Sequence, residues 1–122
     1  MPNVVHFEIC VGDLGAAANF YSSVFGWKME EVYPGSNYLY VTTGEEDDPG
    51  ISGGLTNRID DYNTTINTIE VPSVDLFARK VVEAGGRIYA PKIPIPRVGY
   101  VQYCYDIEGN AFGILEYDDL AQ

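Results

Sequence analysis

The chain has 122 residues, with 18 Asp and Glu against 7 Lys and Arg, and a formal net charge of −11. Its 46% hydrophobic content is that of one folded domain, not of a disordered acidic tail. The acid excess argues against nucleic acid and against an anionic membrane surface, since both need clustered basic side chains. No apolar run approaches the ~18 residues of a membrane helix, and the first residues show no basic start before a long apolar core. A soluble, cytoplasmic protein is the expectation.

In chain order, Val4 to Val11 alternates and predicts a strand, with Val5, Phe7, Ile9 and Val11 on one face and His6, Glu8 and Cys10 on the other. Asp13 is placed to cap a helix whose Leu14, Ala17, Phe20, Tyr21, Val24 and Phe25 recur at helical spacing, and Gly26 ends it. Strands are predicted at Trp27 to Glu30, at Asn37 to Val41 (Tyr38 and Tyr40 on one face) and at Ile51 to Leu55. The acidic turn Gly44 to Gly50 lacks the spacing of a calcium loop and reads as a solvated turn. A polar linker follows at about residues 57–63.

The order then starts again. Thr65 to Val71 predicts a strand, Pro72-Ser73 opens a helix through Val74, Phe77, Val81 and Ala84, and Gly85-Gly86 ends it. Arg87 to Tyr89, Tyr100 to Tyr105 and Ala111 to Leu115 complete a second strand, helix and three strands. The prolines of Pro91 to Pro96 exclude a central strand, so this segment reads as a surface connector, with Lys92 and Arg97 able to attract an anion. The two halves, about residues 1–57 and 64–118, form a two-copy repeat within a single domain.

Three pieces carry a family resemblance: Phe20-Tyr21 before Phe25-Gly26-Trp27, the helix end Glu83 to Gly86, and Asp106 to Phe112. In this order they resemble the vicinal oxygen chelate superfamily of glyoxalase I, bleomycin-resistance proteins and extradiol dioxygenases. The resemblance covers about Val4 to Tyr117. It implies an α+β fold of two tandem βαβββ modules whose curved mixed sheets form a cup.

It also implies four metal-ligand positions, two per module. The first falls on His6. Its counterpart, five residues before Val71 as His6 is five before Val11, is Ile66. The last-strand positions fall on Gly53 or Gly54 and on Gly113, which offer no donor atom. Only His6 matches, so no cofactor and no family-type divalent metal are expected, unless Glu8 or Glu70 builds a different site.

The expected ligand pocket is aromatic: Tyr38, Tyr40, Tyr103, Gly53, Gly54, Ile66, Gly113 and Arg97, with Tyr100 and Tyr105 bordering it. The glycines are expected to leave room for an organic molecule. His6, the only histidine, is the candidate catalytic base or polar anchor, with Glu8 on the same face. Cys10 and Cys104 form no CxxC pair and read as buried free thiols. The leading expectation is a protein that binds a small organic molecule without the family's metal. The alternatives are a lyase, isomerase or dioxygenase using His6, and a degenerate domain kept for protein–protein contact. A homodimer is expected from the resemblance and from unpaired sheet edges.

Overall fold

The computed structural model describes residues 1–122. The fold is α+β: β1 (Val4–Val11), α1 (Leu14–Phe25), β2 (Lys28–Glu31), β3 (Tyr38–Thr42) and β4 (Gly53–Asn57), then β5 (Thr65–Glu70), α2 (Val74–Glu83), β6 (Arg87–Ile88), β7 (Ile93–Ile95), β8 (Gly99–Tyr105) and β9 (Ala111–Tyr117). There are two compact units, His6–Ile66 and Met1–Val5 with Asn67–Gln122. No helix is long and apolar enough to cross a membrane.

In the N-terminal unit the strands lie in the order β2, β3, β4, β1. The pair β1 and β4 is parallel; the others are antiparallel. The helix between them begins where Asp13 turns its carboxylate onto the backbone N–H of Ala16 at 3.0 Å. It ends at Gly26, whose φ of +71° is the left-handed cap that glycine adopts without a Cβ penalty. Val41 and Leu55 are buried to 1% and 0% exposure.

The C-terminal unit repeats the plan, with β5 and β9 parallel and β8 antiparallel to β9. Ser73 caps α2 through the N–H of Leu76 at 3.2 Å, while a Glu116 carboxylate oxygen accepts from the N–H of Val74 at 3.0 Å. A carboxylate at this end also meets the positive pole of the helix. Val71, Val74, Cys104 and Ile114 form the core under α2, with Phe77, Val81 and Phe112 against it. Each such aliphatic side chain contributes roughly 1.5–3 kcal/mol by leaving water.

Two elements differ from expectation. The glycine-rich strand starts two residues later than predicted and runs on to Asn57, because Gly53 pairs with Phe7 and Asn57 with Val11. The proline segment is not only a connector. Ile93, Pro94 and Ile95 pair with Val101, Tyr100 and Gly99, so four strands follow α2 instead of three. Proline is tolerated there because β7 is an edge strand, with β8 as its only partner.

The motif Asp106 to Phe112 builds the turn between β8 and β9. The Asp106 carboxylate accepts from the N–H groups of Glu108 at 2.8 Å and Asn110 at 2.9 Å, and from the Asn110 amide at 3.0 Å. These bonds hold the Asp106 carboxyl below its ordinary pKa of 3.8, the Asn110 side-chain bond most of all. Gly109 at φ +89° completes the reversal.

Candidate functional site

Strand alternation places His6, Glu8 and Cys10 on one face of β1, and the parallel register sets Glu8 beside Gly54. Gly54 in turn lies beside Tyr40 of β3. One row of the N-terminal unit therefore reads Glu8, Gly54, Tyr40. His6 and Tyr38 flank that row.

The two are joined across it. His6 Nε2 and Tyr38 Oη are 2.7 Å apart. With a neutral imidazole, one tautomer has the phenol donating to Nε2 and the other has Nε2–H donating to the phenol oxygen. Tyr38 reaches His6 because Gly54 carries no side chain: a Cβ there would collide with the Tyr38 ring and hydroxyl. The ring of Tyr40 lies 6.5 Å from the imidazole, tilted by 30°, and Tyr40 is 43% exposed. Glu8, in the same row, is only 4% exposed.

Burial holds the His6 pKa below its ordinary 6.5, partly offset by the Glu8 carboxylate, which favours the imidazolium. The imidazole is thus neutral near pH 7. Chemically, the face offers a neutral base paired to a phenol, an exposed aromatic plate and a carboxylate.

The glycines do not leave the open volume expected of them. Tyr38 occupies the space above Gly54. Gly53 belongs to the opposite face, where Phe7 fills the space a side chain would take. At Gly113 a Cβ would come within 3.0 Å of the Thr68 hydroxyl. In the C-terminal unit Thr68, Gly113 and Tyr103 form a row by register. It repeats Glu8, Gly54 and Tyr40 of the other unit. On β5, Ile66 shares the face of Thr68, as His6 shares that of Glu8. Thr68 was missed in the sequence, although the 60-residue offset that pairs Ile66 with His6 pairs Thr68 with Glu8.

The remaining predicted residues lie elsewhere. Arg97 sits at the tip of the β7–β8 turn with φ +65°, its N–H donating to Ala121 at 2.9 Å. It borders a recess lined also by Val98, Tyr117, Asp118 and Asp119. Lys92 is held by Asp75 at 3.1 Å and lies 5.0 Å over the Tyr100 ring. Tyr105 stacks against Arg87 at 4.8 Å and meets Tyr89 edge-on. Cys10 and Cys104 are free and buried, and burial pushes both thiols up to about 11.

Of the positions that the resemblance assigns to a metal, only His6 carries a donor, and its Nε2 faces the Tyr38 hydroxyl. No three His, Cys, Asp or Glu side chains come together. These residues do not fit the family's metal centre.

Residues 3–44 match a family model described as bleomycin resistance protein-like N-terminal. The chain is 30% identical over 123 residues to a protein named "Putative glyoxylase CFP32" in Mycobacterium bovis and Mycobacterium tuberculosis, covering 93% of this chain and 44% of the relative. The chain therefore spans less than half the length of the curated relatives it matches. Among solved structures, a glyoxalase/bleomycin resistance protein/dioxygenase superfamily member from Vibrio splendidus superposes with a TM-score of 0.65 at 14% identity, covering 95% of this chain and 98% of that one. Methylmalonyl-CoA epimerase from Mycobacterium tuberculosis superposes with a TM-score of 0.63 at 16% identity, covering 94% and 87%. The chain is thus similar to glyoxalase and bleomycin-resistance proteins in its N-terminal segment and in its mycobacterial relatives, and its fold is that of the vicinal oxygen chelate superfamily.

Proposed function

We propose that the protein binds a small, planar organic molecule on the His6, Tyr38 and Tyr40 face of the N-terminal unit, without the family's metal. The observation that carries this is the 2.7 Å His6–Tyr38 hydrogen bond set beside an exposed tyrosine ring. An aromatic plate supplies contact area, and a fixed polar pair orients one oxygen or nitrogen of the ligand. No Lys or Arg belongs to the Glu8–Gly54–Tyr40 row or its flanking pair, so Glu8 biases the face toward neutral or cationic ligands. The glyoxylase name of the mycobacterial relatives supports small-molecule chemistry in this group.

The test is a compound screen by thermal shift followed by NMR. The chain has one histidine, so its Hε1 resonance reports this face without assignment of the rest. A ligand that raises Tm should move that resonance, and Tyr40→Ala should weaken its binding. Binders that leave the His6 signal unmoved would overturn the reading. Stoichiometric metal in purified protein, lost on His6→Ala, would overturn its metal-free part.

The same hydrogen bond favours a second reading, proton transfer to and from carbon next to a carbonyl. In it the substrate C–H proton passes to the Tyr38 oxygen as the phenol proton passes to His6 Nε2. This leaves an enolate and an imidazolium, which Glu8 favours. Return of the proton to another position gives an isomer. Bound carbonyl compounds should then take up solvent deuterium, and Tyr38→Phe should stop the uptake without abolishing binding.

A further inference from the structure

The outer strands of the C-terminal unit bring together a group of side chains separate from the His6 face. Arg87 of β6 pairs with Tyr105 of β8, and the N–H of Tyr89 donates to the Tyr103 carbonyl at 2.9 Å. Arg87, Tyr89, Tyr103 and Tyr105 therefore share one face of this sheet. Ile88 and Cys104 take the opposite face, in the core under α2. The Arg87 guanidinium lies 4.8 Å over the Tyr105 ring, and Tyr89 meets that ring edge-on, at 5.7 Å and 82°. Arg87 is exposed and Tyr89 is 42% exposed. The ion pair of the chain, Lys92 with Asp75, does not involve Arg87.

The other repeat does something different at the same places. There β2 sets Lys28 beside Thr42 and Glu30 beside Tyr40. Its row thus reads Glu8, Gly54, Tyr40, Glu30, with a carboxylate at each end. The C-terminal row reads Thr68, Gly113, Tyr103, Tyr89 and has none. Where Lys28 meets a threonine, Arg87 has a ring to lie on. The carboxylate on this face of β5, Glu70, sits beside Leu115, across the Tyr103 row from Arg87. The Asp106 carboxylate, next to Tyr105 in sequence, accepts from Glu108 and Asn110 of its own turn. In a chain of net charge −11, this is a face that an anion can approach.

We propose that Arg87, Tyr105 and Tyr89 form a second binding site, one that takes a planar aromatic carboxylate. A guanidinium laid flat on a ring keeps its N–H groups at its edge, where two of them can meet both oxygens of a carboxylate. Stacking also removes part of the freedom that a long side chain loses on binding. The exposed Tyr89 ring supplies a surface for the ring of the acid. An inorganic anion would use the guanidinium and leave that ring idle. The site lies within the C-terminal unit and stands whether or not the His6 face binds a ligand.

Titration of the whole chain with benzoate, followed by NMR, tests this. Millimolar affinity is expected of so small a ligand. The Arg87 Nε–H resonance should move and the His6 Hε1 resonance should stay. Acetate has the charge without the ring, and benzyl alcohol the ring without the charge. Each should bind about tenfold more weakly than benzoate. Arg87→Gln should weaken benzoate about tenfold or more, the scale of a lost hydrogen bond between charged groups. Tyr89→Ala should weaken benzoate and leave acetate unchanged. Both side chains are exposed, and circular dichroism confirms that each variant is folded. Acetate binding as tightly as benzoate, or benzoate binding that Arg87→Gln leaves intact, overturns the proposal. So does a benzoate complex that shifts the His6 signal and not that of Arg87, or no binding in the millimolar range.

Discussion

Tyr38 lies across Gly54 to reach His6, so a contact between residues 32 positions apart depends on an absent side chain on a third strand. Gly54→Ala should push the Tyr38 ring off the sheet. The expected cost is about 1–3 kcal/mol, that of overpacking a close contact. Denaturant unfolding reads the loss, and the His6 Hε1 resonance should move with it. Stability and a His6 signal both unchanged would show that Tyr38 does not need the space.

Removing the hydroxyl alone separates bonding from packing. Tyr38→Phe keeps the ring and should cost only about 0.5–1.5 kcal/mol, the net value of one hydrogen bond. Its sharper signature is in the imidazole nitrogen shifts. The Nε2 resonance should move while the backbone resonances of β4 stay in place.

The His6 environment gives a pH dependence whose sign can be worked out. The folded pKa lies below the unfolded 6.5, so the unfolded chain binds the proton first as pH falls. This contribution to stability is complete above 6.5 and is lost as pH falls from there through the folded value. Comparison with His6→Gln isolates this contribution from that of every other titrating group. The wild-type minus variant difference in Tm should shrink between about pH 7.5 and pH 5. A difference that grows on acidification would contradict burial as the leading cause.

Both thiols should resist modification in the folded protein. Burial is the first cause at Cys10 and the cause at Cys104, with Glu8 and Asp60 adding to it at Cys10. With pKa values of about 11, little thiolate exists at pH 8. Labelling by a disulfide reagent should be slow until denaturant is added, and then reach both cysteines. Fast labelling of one in native buffer would place it at the surface.

Much of the fold was legible because local signals agreed. Asp13 and Gly26 bracket α1, and alternation across Val4 to Val11 matches β1. The 60-residue offset also carried real information, since it aligns β1 with β5 down to the face of each residue. Legibility failed where side chains gave no pattern. Gly53 and Gly54 look alike in sequence, and only the register with Phe7 and Glu8 assigns them to opposite faces. Ile93 to Ile95 was hidden because prolines mark a connector unless a strand edge is known to be available. The His6–Tyr38 contact was not foreseen either, although both residues were candidates, because it depends on what Gly54 lacks.

The two rows, Glu8–Gly54–Tyr40 and Thr68–Gly113–Tyr103, have a practical consequence. Each unit keeps the glycine and the tyrosine, while an ionisable residue in one is a neutral hydroxyl in the other, and His6 is answered by Ile66. The chain thus carries its own reference compound: the C-terminal row is what the N-terminal row becomes when its charge is removed and its backbone retained. Exchanging Glu8 with Thr68, or His6 with Ile66, would transplant the titrating chemistry from one half to the other at constant composition. Whatever activity follows the exchange belongs to those side chains, and whatever stays behind belongs to the scaffold.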